Sequence, residues 1–264
     1  MSTHDFITEL FCRVDDRLQR LGQRKHTQAR LWPSEVVTLA LLFALKGVGG
    51  RAFYRWLIRD YRDLFPALPE RTRVFRLIKT HWHWSYAFMA EQTLLGVVDT
   101  YGIELLHPVR EGRSRAQIGR KGVSNHRWIV GVKLGVLLNR LGLVVGWVWA
   151  PDNMHDKHFA VLAEAVKERM LVLADQGFHS AEGDPPNLKI CKRGRWNERM
   201  LVETVLSMLT TISHLKHVTH RVAAYLQARL AFTVALFNLL VQWHGLTPDP
   251  ETGFVPLSMA EFSL

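Results

Sequence analysis

Cysteine is scarce: Cys12 and Cys191 are the only two in 264 residues. They lie far apart and form no CxxC pair, which argues against a disulfide framework and a thiolate zinc site and fits a reducing, cytosolic setting. Low-complexity tracts are absent, and a composition 48% hydrophobic and 22% charged excludes wholesale disorder. The first residues carry no basic stretch leading into an apolar run, so no signal peptide is expected. Acid is the minority charge. The 24 Asp and Glu stand against 34 Lys and Arg, a net charge of +10 that makes a polyanion the leading partner. One greasy run, 222–243, has the length of a membrane span, but Gln227, Arg229, Asn238 and Gln242 interrupt it. A buried helix is the expectation there.

The first ninety residues read as helices. Phe6, Leu10, Val14 and Leu18 repeat every four positions and keep one face of a helix over 5–21 apolar. A second helix opens at Trp32-Pro33-Ser34-Glu35, with proline and an acid suited to a first turn, and stops at Gly47, Gly49 and Gly50. A third covers 52–60. After the prolines at 66 and 69, the basic segment Arg71-Thr72-Arg73-Val74-Phe75-Arg76 opens another.

From about residue 94 the pattern turns to strands. Leu94-Leu95-Gly96-Val97-Val98-Asp99 is a short apolar run ending in an acid. Runs over 127–138 and 143–149, separated by Gly142, predict an antiparallel hairpin. A helix is expected over 157–168, a strand at Met170-Leu171-Val172-Leu173-Ala174 ending in Asp175, and a brief strand over 188–191. Two helices follow, over 197–214 and 222–243, and the proline-bearing residues 246–264 read as a tail. The fold class is α/β, with a mixed-sheet core preceded by an N-terminal helical domain.

Asp99 and Asp175 each close an aliphatic strand, so they converge if the strands are neighbours. A third acid comes from the helix after Asn197. Its apolar positions Val202, Val205, Leu206, Leu209 and Ile212 define one face, and Glu203 sits beside that face with Arg199 one turn before it. Glu198 competes, but an acid in the first turn after an Asn cap complements the helix dipole, so Glu203 is chosen. Three carboxylates at close quarters repel one another when ionised, and divalent cations relieve that. Magnesium prefers oxygen ligands, and a pair of ions can activate a nucleophile and stabilise a leaving oxygen in phosphoryl displacement.

These residues resemble the DDE transposases of bacterial insertion sequences, most closely the insertion sequence 982 group. The likeness is carried by Val97-Val98-Asp99, Ala150-Pro151-Asp152-Asn153-Met154-His155-Asp156, Ala174-Asp175-Gln176-Gly177-Phe178 and Arg199-x-x-x-Glu203-Thr204-Val205. The opening helices join it with Leu31-x-x-Ser34-Glu35-Val36 and Leu64-Phe65-Pro66-x-Leu68-Pro69-x-Arg71-Thr72. The resemblance implies a helical domain over 1–90 that binds DNA ends, a ribonuclease-H-like catalytic domain over 91–245, and the tail. It implies Asp99, Asp175 and Glu203 as catalytic residues and ligands of two Mg2+ ions, for which Mn2+ can substitute. The implied activity is metal-dependent cleavage at insertion-sequence ends and strand transfer into target DNA. Double-stranded DNA is then the partner, a homodimer or higher homo-oligomer the working form on DNA, and the bacterial cytoplasm at the nucleoid the location. The chain departs from the pattern at Trp196, where relatives carry Tyr, at Thr210, where they carry Lys, and at Thr100-Tyr101-Gly102. A related nuclease without strand transfer and a DNA-binding regulator that has lost catalysis are the alternatives.

Basic residues cluster where such a core would meet DNA. Arg110, Arg113, Arg115, Arg120, Lys121 and Arg127 lie between the first strand and the hairpin, and Lys189, Lys192, Arg193, Arg195 and Arg199 approach the third acid. Trp196 offers a surface for stacking on a base or sugar, and Arg71, Arg73 and Arg76 could bind terminal DNA. Zinc is not favoured at His81 and His83 or at His214, His217 and His220, whose spacing drifts around a helix with no Cys nearby. Asp156 either caps the helix that follows it or orients the core, and capping is preferred.

Overall fold

The computed structural model describes residues 1–124, 127–192, 198–215 and 218–245, with the backbone alone of 198–200 and 212. Arg193, Arg195, Trp196, Asn197, His217 and the expected tail 246–264 lie outside the described residues.

Helix α1 (Thr3–Arg20) starts at a capping box. Asp5 N–H donates to Ser2 Oγ at 3.2 Å while the Ser2 backbone N–H donates to Asp5 Oδ2 at 3.3 Å. Its predicted row, Phe6, Leu10, Val14 and Leu18, is buried. Helix α2 (Pro33–Lys46) is buried on nearly every side, α3 (Gly50–Asp60) and α4 (Arg71–Thr80) are amphipathic, and a 3-10 helix (Trp82–Phe88) leads to the sheet.

The sheet comprises β1 (Leu95–Leu106), β2 (Arg120–Ser124), β3 (Arg127–Asn139), β4 (Val144–Pro151), β5 (Leu171–Ala174) and β6 (Leu188–Ile190). Strand β3 pairs antiparallel with β1 along one side, and with β2 and then β4 along the other. On the far side of β1, β5 runs parallel to it and β6 parallel to β5. The β3–β4 hairpin turns at Gly142, whose φ of +74° suits glycine. Strand β2 falls in the basic segment, where no strand was expected.

Strand β1 is twice the length of its apolar run. Antiparallel partners extend from Gly96↔Asn139 to Leu106↔Val130, so the ladder carries the strand past the acid. Asp99 therefore sits inside the strand, opposite Val136, and not at its end. Asp175 does follow the last residue of β5 directly. The helix expected over 157–168 is a 3-10 turn (Asp156–Ala160) running into the four-residue α5 (Val161–Glu164). Phe159 seats over Gly135, where a Cβ would lie 2.3 Å from the ring, and burying Phe159, Leu162 and Ala163 together takes precedence over a regular helix.

Helix α6 (Glu198–Ile212) buries Val202, Val205, Leu206 and Leu209 as the spacing predicts. In α7 (Ala223–His244), 83% of the apolar window is buried inside the protein. Asn238 on this helix is satisfied internally: its Nδ2 donates to Phe88 O and Val144 O, and its Oδ1 accepts from Val144 N–H. The large apolar cluster holds α1, α2, α6 and α7 together with Val97, Ile103 and Leu105 of one sheet face, while Val98, Leu137, Val172 and Ala174 on the other face pack on Phe159 and Leu162.

Candidate functional site

The two strand acids are set by register. The parallel ladder runs Leu95↔Leu171, Gly96↔Val172 and Val97↔Leu173, so Asp99 and Asp175 each lie two residues past its last pair, at the same end. Alternation sets the face. Val97 belongs to the large cluster and Val98 to the small one, so Asp99 lies on the same side of β1 as Val97, while Asp175 stands past the end of β5, at the start of a 3-10 turn. The Val97 side is the one on which α6 packs through Val202 and Val205. Glu203 is exposed beside the packed row of α6, on the element that covers this face.

Local hydrogen bonds fix each acid. Asp99 Oδ1 accepts from Thr100 N–H at 2.7 Å, and Asp175 Oδ1 accepts from Gly177 N–H at 2.9 Å across a 3-10 turn (Gln176–Phe178). All three side chains offer hard oxygen donors of the kind magnesium takes. Among the described residues, no three His, Cys, Asp or Glu side chains are already drawn into a group that could hold a metal ion.

Beside Asp175, and on the side of β1 opposite Asp99, lies a polar cluster of which only Asp156 stood out in the sequence. Asp156 Oδ1 accepts from Lys133 Nζ and from Thr100 Oγ1, each at 2.9 Å, and Lys133 Nζ also donates to Met154 O at 3.0 Å. The other oxygen, Asp156 Oδ2, lies 3.0 Å from where a Cβ on Gly177 would stand, and Asp175 Oδ1 lies 3.1 Å from the same point. Asp156 thus touches the neighbour of Asp99 and the turn that holds Asp175. Its side chain makes no helix cap, so the capping preference is corrected: the carboxylate orients the core. Lys133 was detectable in principle as the lone cation inside Ile129-Val130-Gly131-Val132-Lys133-Leu134, an otherwise apolar strand.

Asp152 is 2% exposed, and neither of its carboxylate oxygens has a hydrogen-bond partner. It fills the space over Gly102 and Gly122; a Cβ on Gly122 would stand 2.2 Å from Asp152 Oδ2. Burial raises its pKa above the ordinary carboxylate value, the Lys133 charge draws it back, and the Asp156 charge pushes it further up.

The basic residues are exposed wherever they are described. Arg71 and Arg73 stand on α4, Arg120 and Lys121 on the edge strand β2, and Arg113, Arg115 and Lys192 in loops. Lys121 Nζ lies 5.0 Å from the Trp128 ring, and Arg127 pairs with Glu104 at 3.1 Å. Of Arg199 only the helical backbone in the first turn of α6 is described. Thr210 is turned inward, 7% exposed, with its hydroxyl on Ser207 O at 2.7 Å. No family model matches the chain, and no curated protein matches it.

Proposed function

We propose that this protein is a DDE-type transposase of a bacterial insertion sequence, cleaving DNA at the element's ends and joining the freed ends to target DNA. The observation that carries this reading is the parallel pairing of β1 with β5, which brings the segments bearing Asp99 and Asp175 to one end of a shared ladder, in a core that α6, the helix of Glu203, packs against. A six-stranded mixed sheet, with β1 to β4 joined by antiparallel pairs and β5 and β6 added in parallel beside β1, also suits a ribonuclease-H-like core over 91–245 behind an end-binding helical domain over 1–90.

Asp99, Asp175 and Glu203 would hold Mg2+ or Mn2+, which supplies activation of the attacking oxygen and stabilisation of the leaving one. The chain's other groups bind and orient. Lys133, Asp156 and Thr100 hold the strand and turn bearing the first two acids. Arg71, Arg73, Arg113, Arg115, Arg120, Lys121 and Lys192 meet phosphates, with Arg193, Arg195, Trp196 and Arg199 completing the DNA contacts near α6. In the first step a water oxygen bonds to phosphorus and the bond to the 3′ oxygen breaks, leaving a 3′-hydroxyl. In the second, that hydroxyl attacks a target phosphodiester, and the target's own 3′ oxygen leaves. Two ends must be held at once, so the working form is a homodimer or larger on DNA, at the nucleoid.

The test is incubation of purified protein with a labelled duplex containing the DNA that flanks its gene, in magnesium, manganese or chelator. Asp99→Ala, Asp175→Ala and Glu203→Ala run alongside. The expected result is nicking at one position that needs metal and is lost in all three variants while binding persists. Joining of the nicked end to a second duplex separates a transposase from a nuclease. Specific binding with no nicking in either metal overturns the catalytic reading in favour of a regulator.

A further inference from the structure

A cavity of about 340 Å3 opens where the end of β1 meets the loop over 107–119 and the segment before α7. Its size falls within the range of about 300–1,000 Å3 that holds small organic ligands. The walls are apolar, with Leu105, Leu106 and Ile118 on one side and the ring of His220 on the other. Burial, and then the charge of Arg229, lowers the His220 pKa to about 4, so at neutral pH the imidazole is an uncharged wall. The rim is cationic. Arg110, Arg113 and Arg221 all line the cavity, all are exposed, and no carboxylate among the described residues pairs with any of them.

The loop presenting two of these arginines is held in shape before anything binds. Gln117 Oε1 accepts from Gly112 N–H at 2.9 Å, and its Nε2 donates to Gly119 O at 2.7 Å, clasping the loop across its own width. The backbone that carries Arg113 is thereby held in place before anything binds, which lowers the cost of ordering the loop. Guanidinium groups pair bidentately with phosphate and stack on planar rings, whereas an apolar slot of this size accepts a planar heterocycle.

We propose that this cavity binds a single nucleotide unit, the base against the apolar walls and the phosphate against Arg110, Arg113 and Arg221. The unit comes either from the free nucleotide pool or from an unpaired position in a DNA strand; the latter rests on the function proposed above.

The experiment is isothermal titration of the full chain with thymidine 5′-monophosphate, thymidine and inorganic phosphate, repeated with Arg113→Ala and Ile118→Asp. The nucleotide is expected to bind at least about tenfold more tightly than either half alone and to lose about tenfold in each variant. Equal binding of nucleotide and inorganic phosphate, or indifference to both substitutions, overturns the site. A second arm compares a blunt duplex with one carrying a single unpaired nucleotide. Preference for the latter, competed by the free nucleotide, assigns the site to DNA, and no preference assigns it to the free nucleotide. Cleavage at Asp99 is read separately, so nucleotide binding by a chain that never nicks DNA upholds the cavity and removes the transposase.

Discussion

Lys133 Nζ on β3 stands 2.9 Å from Asp156 Oδ1, joining the middle of the sheet to the turn after β4. Their side chains are 14% and 28% exposed, so the pair is only partly screened by water. Removing either partner leaves a partly buried charge, an effect larger than the loss of a surface ion pair. Lys133→Met and Asp156→Ala should each cost about 1–3 kcal/mol in urea unfolding. The double variant should cost clearly less than their sum, because both delete one contact. Additive losses would show that the two do not act together. On the function proposed above, Asp156→Asn should also reduce metal-dependent nicking by about 10–100-fold, with duplex affinity unchanged.

Asp152 has both oxygens buried without a partner, and burial favours its protonated form. Its folded pKa lies above the unfolded value of 3.8, so the folded state holds the proton more tightly. This contribution is full below 3.8 and is lost as pH rises through the raised value. Asp152→Asn keeps the shape and removes the titration. The variant should match or exceed the wild type at neutral pH, and its advantage should disappear in acid. A variant less stable than the wild type at pH 7 would mean that the charged carboxylate is needed.

Much of this architecture was readable from periodicity. The rows on α1 and α6 and the β3–β4 hairpin at Gly142 follow from local pattern alone, because each buries one face against whatever lies opposite. The extent of β1 did not. Tyr101 and Gly102 break the apolar run, and only the ladder from β3, more than thirty residues away, keeps them in a strand. Asp99 and Asp175 were legible as acids after aliphatic runs, but the pairing of the strands that carry those runs is parallel and long-range, which no local pattern encodes. Asp156 was misassigned for the same reason: a cap is a local partner, whereas Thr100 and Lys133 are 56 and 23 residues distant.

His220 titrates with the opposite sign to Asp152. Its folded pKa of about 4 lies below the ordinary 6.5, chiefly through burial and then through Arg229. The unfolded chain takes up the proton first, so stability contributed by the neutral ring is complete above 6.5 and is lost as pH falls towards 4. The loss amounts to at most about 3 kcal/mol. The stability of the wild type relative to His220→Leu, followed by denaturant unfolding between pH 7 and pH 4, should fall by up to that amount. A difference that stays flat across this range would show that the ring is not protonated on unfolding.

Arg229 is the buried cation of α7, 7% exposed, with burial lowering its pKa to about 10, so it remains charged at neutral pH. No carboxylate among the described residues pairs with it. Nη1 donates to Phe43 O in the last turn of α2 at 2.8 Å, Nη2 donates to Ser213 O just beyond α6 at 2.6 Å, and the Phe43 ring lies 5.4 Å from the guanidinium. The carbonyl ends of two helices thus supply the negative partial charge that an acid would otherwise give. Arg229→Met removes the buried charge but orphans both carbonyls, and should cost about 2–4 kcal/mol. Because the Ser213 contact anchors the end of α6, amide hydrogen exchange over 201–212 should quicken in this variant, while the centre of β3 keeps its protection. Uniform acceleration across both would mean that Arg229 supports the fold as a whole and gives no particular hold on the helix of Glu203.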